Sequence, residues 1–136
     1  MNNYCRIPQP VEFEIKCPDS LYIEANENDI KHLFINLIKN SIDEMVKSKI
    51  DFDTRVITII CQQDSHNVSF VVEDSGKGIP DKILPNIFDM NFTTKQNSGG
   101  TGVGLFMCKQ IVQKYKGKIS VTNKEQSSGA SFCITL

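Results

Sequence analysis

The sequence contains no tryptophan, only two histidines and no apolar run long enough to cross a bilayer. Its charge is nearly balanced, 15 Lys and Arg against 16 Asp and Glu, so no overall field draws it to nucleic acid or to an anionic membrane. The five cysteines (Cys5, Cys17, Cys61, Cys108 and Cys133) are odd in number and form no C-x-x-C pair, so metal-ligand spacing is absent and a disulfide framework is not expected. They read instead as reduced, mostly core thiols of a cytoplasmic protein. The opening MNNYCRIPQP lacks the apolar stretch of a signal peptide. Internal repeats and low-complexity segments are also missing. What remains is 136 residues, 40% hydrophobic and 23% charged, the make-up of one globular domain able to bury a core without metal.

The patterning of that core is mixed. VEFEIK (11–16) and LYIEA (21–25) alternate apolar and polar residues around a Pro-Asp-Ser turn, which predicts two strands. Ile30, Leu33, Phe34, Leu37, Ile38, Ile42 and Met45 then recur at helical spacing, with Asn26 or Asn28 as the N-cap. TRVITIICQQ and NVSFVVED flank Asp64-Ser65-His66 and predict an antiparallel hairpin. Residues 80–100 carry no sustained periodicity beyond a short helical turn at KILPNIF, and a gap of that length inside a domain points to a functional lid, about 80–101. A second helix follows over 104–115 and stops at Lys116-Gly117; KISVTN and ASFCITL close the chain as strands. The order β-β-α-β-β-lid-α-β-β predicts a two-layer α/β sandwich, with a mixed, mostly antiparallel sheet covered by helices on one face. It shows no βαβ alternation.

Four segments have chemistry in reach, each with an ordinary alternative. Asn36, Asn40 and Asp43 form a polar stripe at i, i+4 and i+7 of the first helix. Such a stripe is either a solvated face or a source of amide oxygen, a hard ligand for Mg²⁺. DSGKGIP is either a turn after a strand or a carboxylate, Asp74, fixed to accept from an exocyclic amine while Gly76 and Gly78 admit a base. SGGTGVGL fits no P-loop, no Rossmann fingerprint and no protein-kinase motif set; it is a glycine segment opening a helix, where free N–H groups favour an anion. IFDMNFTTK is either a hydrophobic plug, through Phe88 and Phe92, or a set of donors with one positive charge, Lys95.

Taken in order, these segments resemble the catalytic ATP-binding domain of bacterial sensor histidine kinases, within the wider gyrase, Hsp90, histidine-kinase and MutL fold group. NLIKNSIDEM is similar to the family's N box, DSGKGIP to its G1 box, IFDMNFTTK to its F box, GGTGVGL to its G2 box and SSGASF to its last glycine motif. The likeness covers 11–136, and the F box departs from the usual Pro and Phe at Met90 and Asn91. It implies a Bergerat-type sandwich that binds ATP and Mg²⁺. Asn40 would hold the metal, with Lys39 and Asn36 nearby. Asp74 would take the adenine amine, Gly76 and Gly78 would line the base, and Ile79 would pack on it. Gly100, Thr101, Gly102, Val103, Gly104 and Leu105 would meet the phosphates, Phe88, Phe92 and Lys95 would belong to the lid, and Ser131 would lie near the adenine.

The resemblance also divides kinase from hydrolase. ATP-hydrolysing relatives carry a general-base glutamate four residues before the metal-binding asparagine; here that position is Asn36, an amide that cannot take a proton from water. Asp43 and Glu44 do not occupy it. His32 and His66 lack the H-E-x-x-x-P context of a phosphoacceptor, so the acceptor-histidine dimerisation domain is expected elsewhere, in cis or in trans, with a response regulator downstream. The expected whole is one cytoplasmic, monomeric catalytic domain over 1–136, turning ATP into ADP only when it meets its acceptor. The alternatives are an ATP-hydrolysing relative or a non-catalytic nucleotide-binding module.

Overall fold

Strand alternation and helical spacing sort the apolar residues into two facing layers. The computed structural model describes residues 11–48, 55–89, 104–125 and 128–136. Its elements are β1 (Glu12–Lys16), α1 (Glu27–Lys47), β2 (Val56–Gln63), β3 (Val68–Asp74), α2 (Gly104–Lys114), β4 (Lys118–Asn123) and β5 (Ala130–Thr135), with a 3₁₀ turn at Leu84–Asn86. The strands form one sheet in the order β1-β2-β3-β5-β4. Three neighbouring pairs are antiparallel and β1–β2 is parallel.

One face of that sheet carries Ile57, Ile59, Cys61, Val68, Phe70, Val72, Phe132 and Ile134 into the core. Against it lies the stripe Leu33, Leu37, Ser41 and Met45 of α1, each four residues from the next and therefore on one side of the helix. Cys108 and Val112 of α2 complete the layer. The Cys108 thiol reaches Leu33 O at 3.7 Å, and burial pushes its pKa up to about 12, so it stays a protonated packing group. Asn26 is the N-cap, its Oδ1 accepting from Asn28 N–H at 2.8 Å and Asp29 N–H at 3.3 Å. The Tyr115 hydroxyl donates to Asp29 at 2.5 Å and Lys114 pairs with the same carboxylate at 2.8 Å, tying the end of α2 to the start of α1. Lys114 first and Tyr115 second hold the Asp29 carboxyl below its usual range.

Three expectations are corrected. Residues 21–25 form no strand, although they alternate. The side-chain amide of Gln63 takes the backbone of Tyr22 instead, accepting its N–H at 3.4 Å and donating to its O at 3.1 Å. Because that segment is a connection, β1, α1 and β2 make one parallel βαβ crossover inside an otherwise antiparallel sheet. The parallel register opposes Lys16 to Ile60, so Cys17 follows directly opposite Cys61, and the two are joined as a disulfide across 44 residues of sequence. Among the described residues no helix is long and apolar enough to cross a membrane.

Candidate functional site

The fold buries a carboxylate at the end of β3. Asp74 continues the inward alternation of Val68, Phe70 and Val72, enters the helix-covered face and is only 4% exposed. A bare carboxylate there would be costly. Two backbone donors meet it, Gly76 N–H at 2.9 Å and Ala130 N–H at 3.2 Å, and both fall on Oδ1. The other oxygen keeps its lone pairs for a ligand.

The loop after Asp74 has room for little else. A Cβ on Gly76 would lie 3.1 Å from Asp74 Oδ1 and 3.4 Å from Met45 Cγ. Gly78 has φ +84°, and a Cβ there would lie 2.6 Å from Asn123 Oδ1. Asn123 comes so close because it holds the next residue at both ends. Ile79 N–H donates to its Oδ1 at 2.7 Å, and its Nδ2 donates to Ile79 O at 2.7 Å. Ser128 Oγ adds a bond to Gly76 O at 2.5 Å, and Ser75 Oγ accepts from Val56 N–H at 2.8 Å. The loop is thus fixed by side chains from β4, from the β4–β5 connection and from itself.

Asn123→Ala removes both partners of the Ile79 backbone at once. The expected result is a loss of about 2 kcal/mol of stability, the worth of two net hydrogen bonds, in urea unfolding. Amide exchange at Ile79 should accelerate in the same variant. Unchanged exchange there would mean that the clamp is not what holds the loop.

The second half of the site lies on the helices. Asn36, Asn40 and Asp43 are half-buried on one flank of α1. A Cβ on Gly104 would stand 3.5 Å from Asn36 Oδ1, so the first turn of α2, with its free N–H groups, opens beside the polar stripe. Among the described residues no group of three or more His, Cys, Asp or Glu is arranged to hold a metal ion. The Asn40 side chain adds to that flank an amide oxygen, a hard donor.

The remaining predicted residues divide. Ile79 and Leu105 are partly buried against the core, and the Phe88 ring meets Phe132 edge-on with centroids 6.2 Å apart. Phe92, Lys95, Gly100, Thr101, Gly102 and Val103 lie outside the described residues. Lys39 is exposed; three residues after Asn36 and four before Asp43 on the same helix, it borders the stripe. Ser131 pairs with Glu73 in the β3–β5 register and therefore shares the outer face with it, opposite Asp74. The position beside Asp74 belongs to Ala130, through its backbone. Sequence reasoning did not find Asn123, Ser128 or Ala130. Asn123 carried only the signal of a turn former ending a strand, while the inward spacing of Ala130, Phe132 and Ile134 was readable. At the opposite pole a cleft of about 270 Å³, lined among others by Tyr22, Asp64, His66 and Tyr115, contains none of the predicted site residues.

Residues 25–136 match the family described as histidine kinase-, DNA gyrase B- and HSP90-like ATPase. Sporulation kinase A of Bacillus subtilis (strain 168) is 38% identical over 117 residues, 86% of this chain and 18% of that protein. Sporulation kinase C of the same organism is 32% identical over 126 residues, 93% of this chain and 27% of that protein. The chain therefore spans less than a third of the length of either relative. The solved catalytic domain of histidine kinase ThkA superposes with a TM-score of 0.76 at 30% identity, over 93% of this chain and 78% of that one.

Proposed function

The chain belongs to the histidine kinase-, DNA gyrase B- and HSP90-like ATPases, as a catalytic ATP-binding domain of the sensor histidine kinase type, and from that premise we propose how it works. It binds Mg-ATP and presents the γ-phosphoryl group to a histidine on a separate dimerisation domain, in cis or in trans. The observation that carries this reading is the buried carboxylate of Asp74, held by two backbone donors on one oxygen, at the same end of the molecule as a glycine-started helix packed against Asn36.

The residues divide the nucleotide between them. Asp74 accepts from the adenine amine, and Gly76 and Gly78 keep side chains out of the base's way. Ile79, with its backbone clamped by Asn123, packs against the ring. At the other end the N–H groups opening α2 receive phosphate oxygens. The Asn40 amide oxygen would hold the Mg²⁺, whose contribution when bound is to neutralise phosphate charge. The chain's own task is positioning: an incoming imidazole nitrogen attacks phosphorus in line while ADP leaves. Water is a poor competitor, because the position where hydrolytic relatives keep a glutamate base holds Asn36. His32 and His66 are exposed and are assigned no part in the transfer.

The test is incubation with Mg-ATP and a separately supplied acceptor-histidine domain. Acid-labile phosphate on the acceptor, with little phosphate release in its absence, is the expected outcome. Rapid release without acceptor would point to a hydrolase, and ATP binding with neither activity to a sensing module.

A further inference from the structure

β1 is the strand that the rest of the fold leaves open. It ends the sheet, and among the described residues it has a neighbour only on the β2 side. Its residues are all exposed. Two of them are large and apolar, Phe13 at 46% and Ile15 at 66% exposure. In the parallel register they stand beside the core residues Ile57 and Ile59, so they face the helix side of the sheet. An apolar edge of this kind invites another strand, and β1 contains no proline to prevent it.

The helix layer continues the same opening. α2 packs on the Asn36 side of α1 and lies over β4, at the far edge of the sheet. The other flank of α1 therefore overlooks β1. It carries Ile35, Ile42 and Val46 at i, i+7 and i+11, and Ile35 and Val46 remain 59% and 47% exposed. The strand edge and the helix flank border one uncovered apolar strip.

The backbone and the charges of β1 specify what fits there. Glu12 N–H donates to Arg55 O at 2.9 Å, so residues 12, 14 and 16 direct their backbone groups to β2, while 13, 15 and 17 turn theirs outward. A second β1, antiparallel and centred on Ile15, matches that pattern. Ile15 and Ile15 of the second copy exchange both N–H···O bonds, and each Phe13 does the same with Cys17 of the other copy. Between those rungs Glu14 lies opposite Lys16 of the second copy, and Lys16 opposite its Glu14. Other centres bring like charges together. An axis on Phe13 sets Glu12 against Glu14, an axis on Glu14 sets that residue against itself, and an axis on Lys16 opposes two lysines.

We propose that the chain self-associates through β1 into a two-fold dimer with one continuous sheet. The axis stands perpendicular to the sheet, so both helix layers lie on the same side. The two α1 flanks then face each other across Phe13 and Ile15 of both copies. Asp74 on β3 and the start of α2 lie away from this edge, so the nucleotide site of each copy stays open. One strand pair with a few apolar side chains is a small interface, which makes the dimer concentration-dependent.

The test is sedimentation equilibrium of the chain over a concentration series. The wild type should pass reversibly from monomer to dimer. Glu14→Lys and Lys16→Glu should each associate about tenfold more weakly, because each turns both opposite-charge pairs into like-charge pairs. Mixed in equal amounts, the two variants should dimerise with each other about as well as the wild type does with itself. One copy then carries lysine at both positions and the other glutamate, which restores both pairs. Both variants should melt as the wild type does, since the two side chains are exposed. Wild-type association that neither substitution weakens, or a mixture that associates no better than its components, overturns the proposal. A wild type that stays monomeric throughout leaves the edge to a strand of another protein and overturns it equally.

Discussion

Asp74→Asn should lower the affinity for ATP by about 100-fold or more while the protein still folds. The argument turns on the difference between the two oxygens. Gly76 N–H and Ala130 N–H both donate to Oδ1, at 2.9 Å and 3.2 Å. Asparagine can keep its single oxygen there and preserve both bonds, and as a neutral group it is cheaper to bury than the carboxylate it replaces. Its amide NH₂ then occupies the place of Oδ2 and faces the adenine amine, donor against donor. Rotating the amide restores an acceptor for the adenine but turns the NH₂ onto two backbone donors. Either orientation loses, so binding falls whichever is adopted. Calorimetry reads the affinity, and urea unfolding reads the stability, expected to stay within about 1 kcal/mol of wild type. A variant that still binds ATP within a few-fold of wild type would remove Asp74 from base recognition.

The fold was legible wherever one local period decided the outcome. The first helix shows both its apolar spacing and its cap, and Asn26 caps it as the sequence predicts. The β2–β3 hairpin follows from two alternating runs and an Asp64 whose carboxylate takes the N–H groups of His66 and Asn67 at 2.8 and 2.7 Å. The failures share a different cause, a partner far away in sequence. LYIEA has a strand's alternation, yet Gln63, 41 residues on, captures Tyr22. Cys17 and Cys61 come together through a parallel register that exists only after α1 has crossed over. Asn123 reaches Ile79 across 44 residues, and nothing in KISVTN marks its last residue as a clamp. Ser131 is another matter. The alternation that faces it away from Asp74 is present in ASFCITL, where Ala130, Phe132 and Ile134 take the inward positions, whereas a motif resemblance carries no information on which face a strand residue takes.

Gly129→Ala is expected to cause the largest loss of stability of any single methyl added to this site. Gly129 has φ +127°, a region that side chains rarely enter, and a Cβ there would run into the backbone carbonyl oxygen of Asp74 and lie 2.8 Å from Lys124 Cε. The lysine can move aside, but the carbonyl belongs to β3. Relief therefore requires β5 to draw away from β3 where Ala130 N–H meets Asp74, which also disturbs the bond that Gly129 O accepts from Lys124 N–H at 2.9 Å on the β4 side. Strain and lost bonds together should cost about 3 kcal/mol or more, read as a lower urea midpoint. The same separation draws a donor away from the Asp74 carboxylate, so the molecules that remain folded should also bind ATP poorly. Gly117→Ala isolates the second effect. A Cβ at Gly117 would collide with Thr135 O and lie 2.9 Å from Leu136 Cδ2, at the far pole beyond the end of α2. It should destabilise the chain as well, yet its folded fraction should bind ATP as the wild type does. If the two variants weaken binding equally at matched folded fraction, the Gly129 backbone is not coupled to Asp74, and the glycine serves the fold alone.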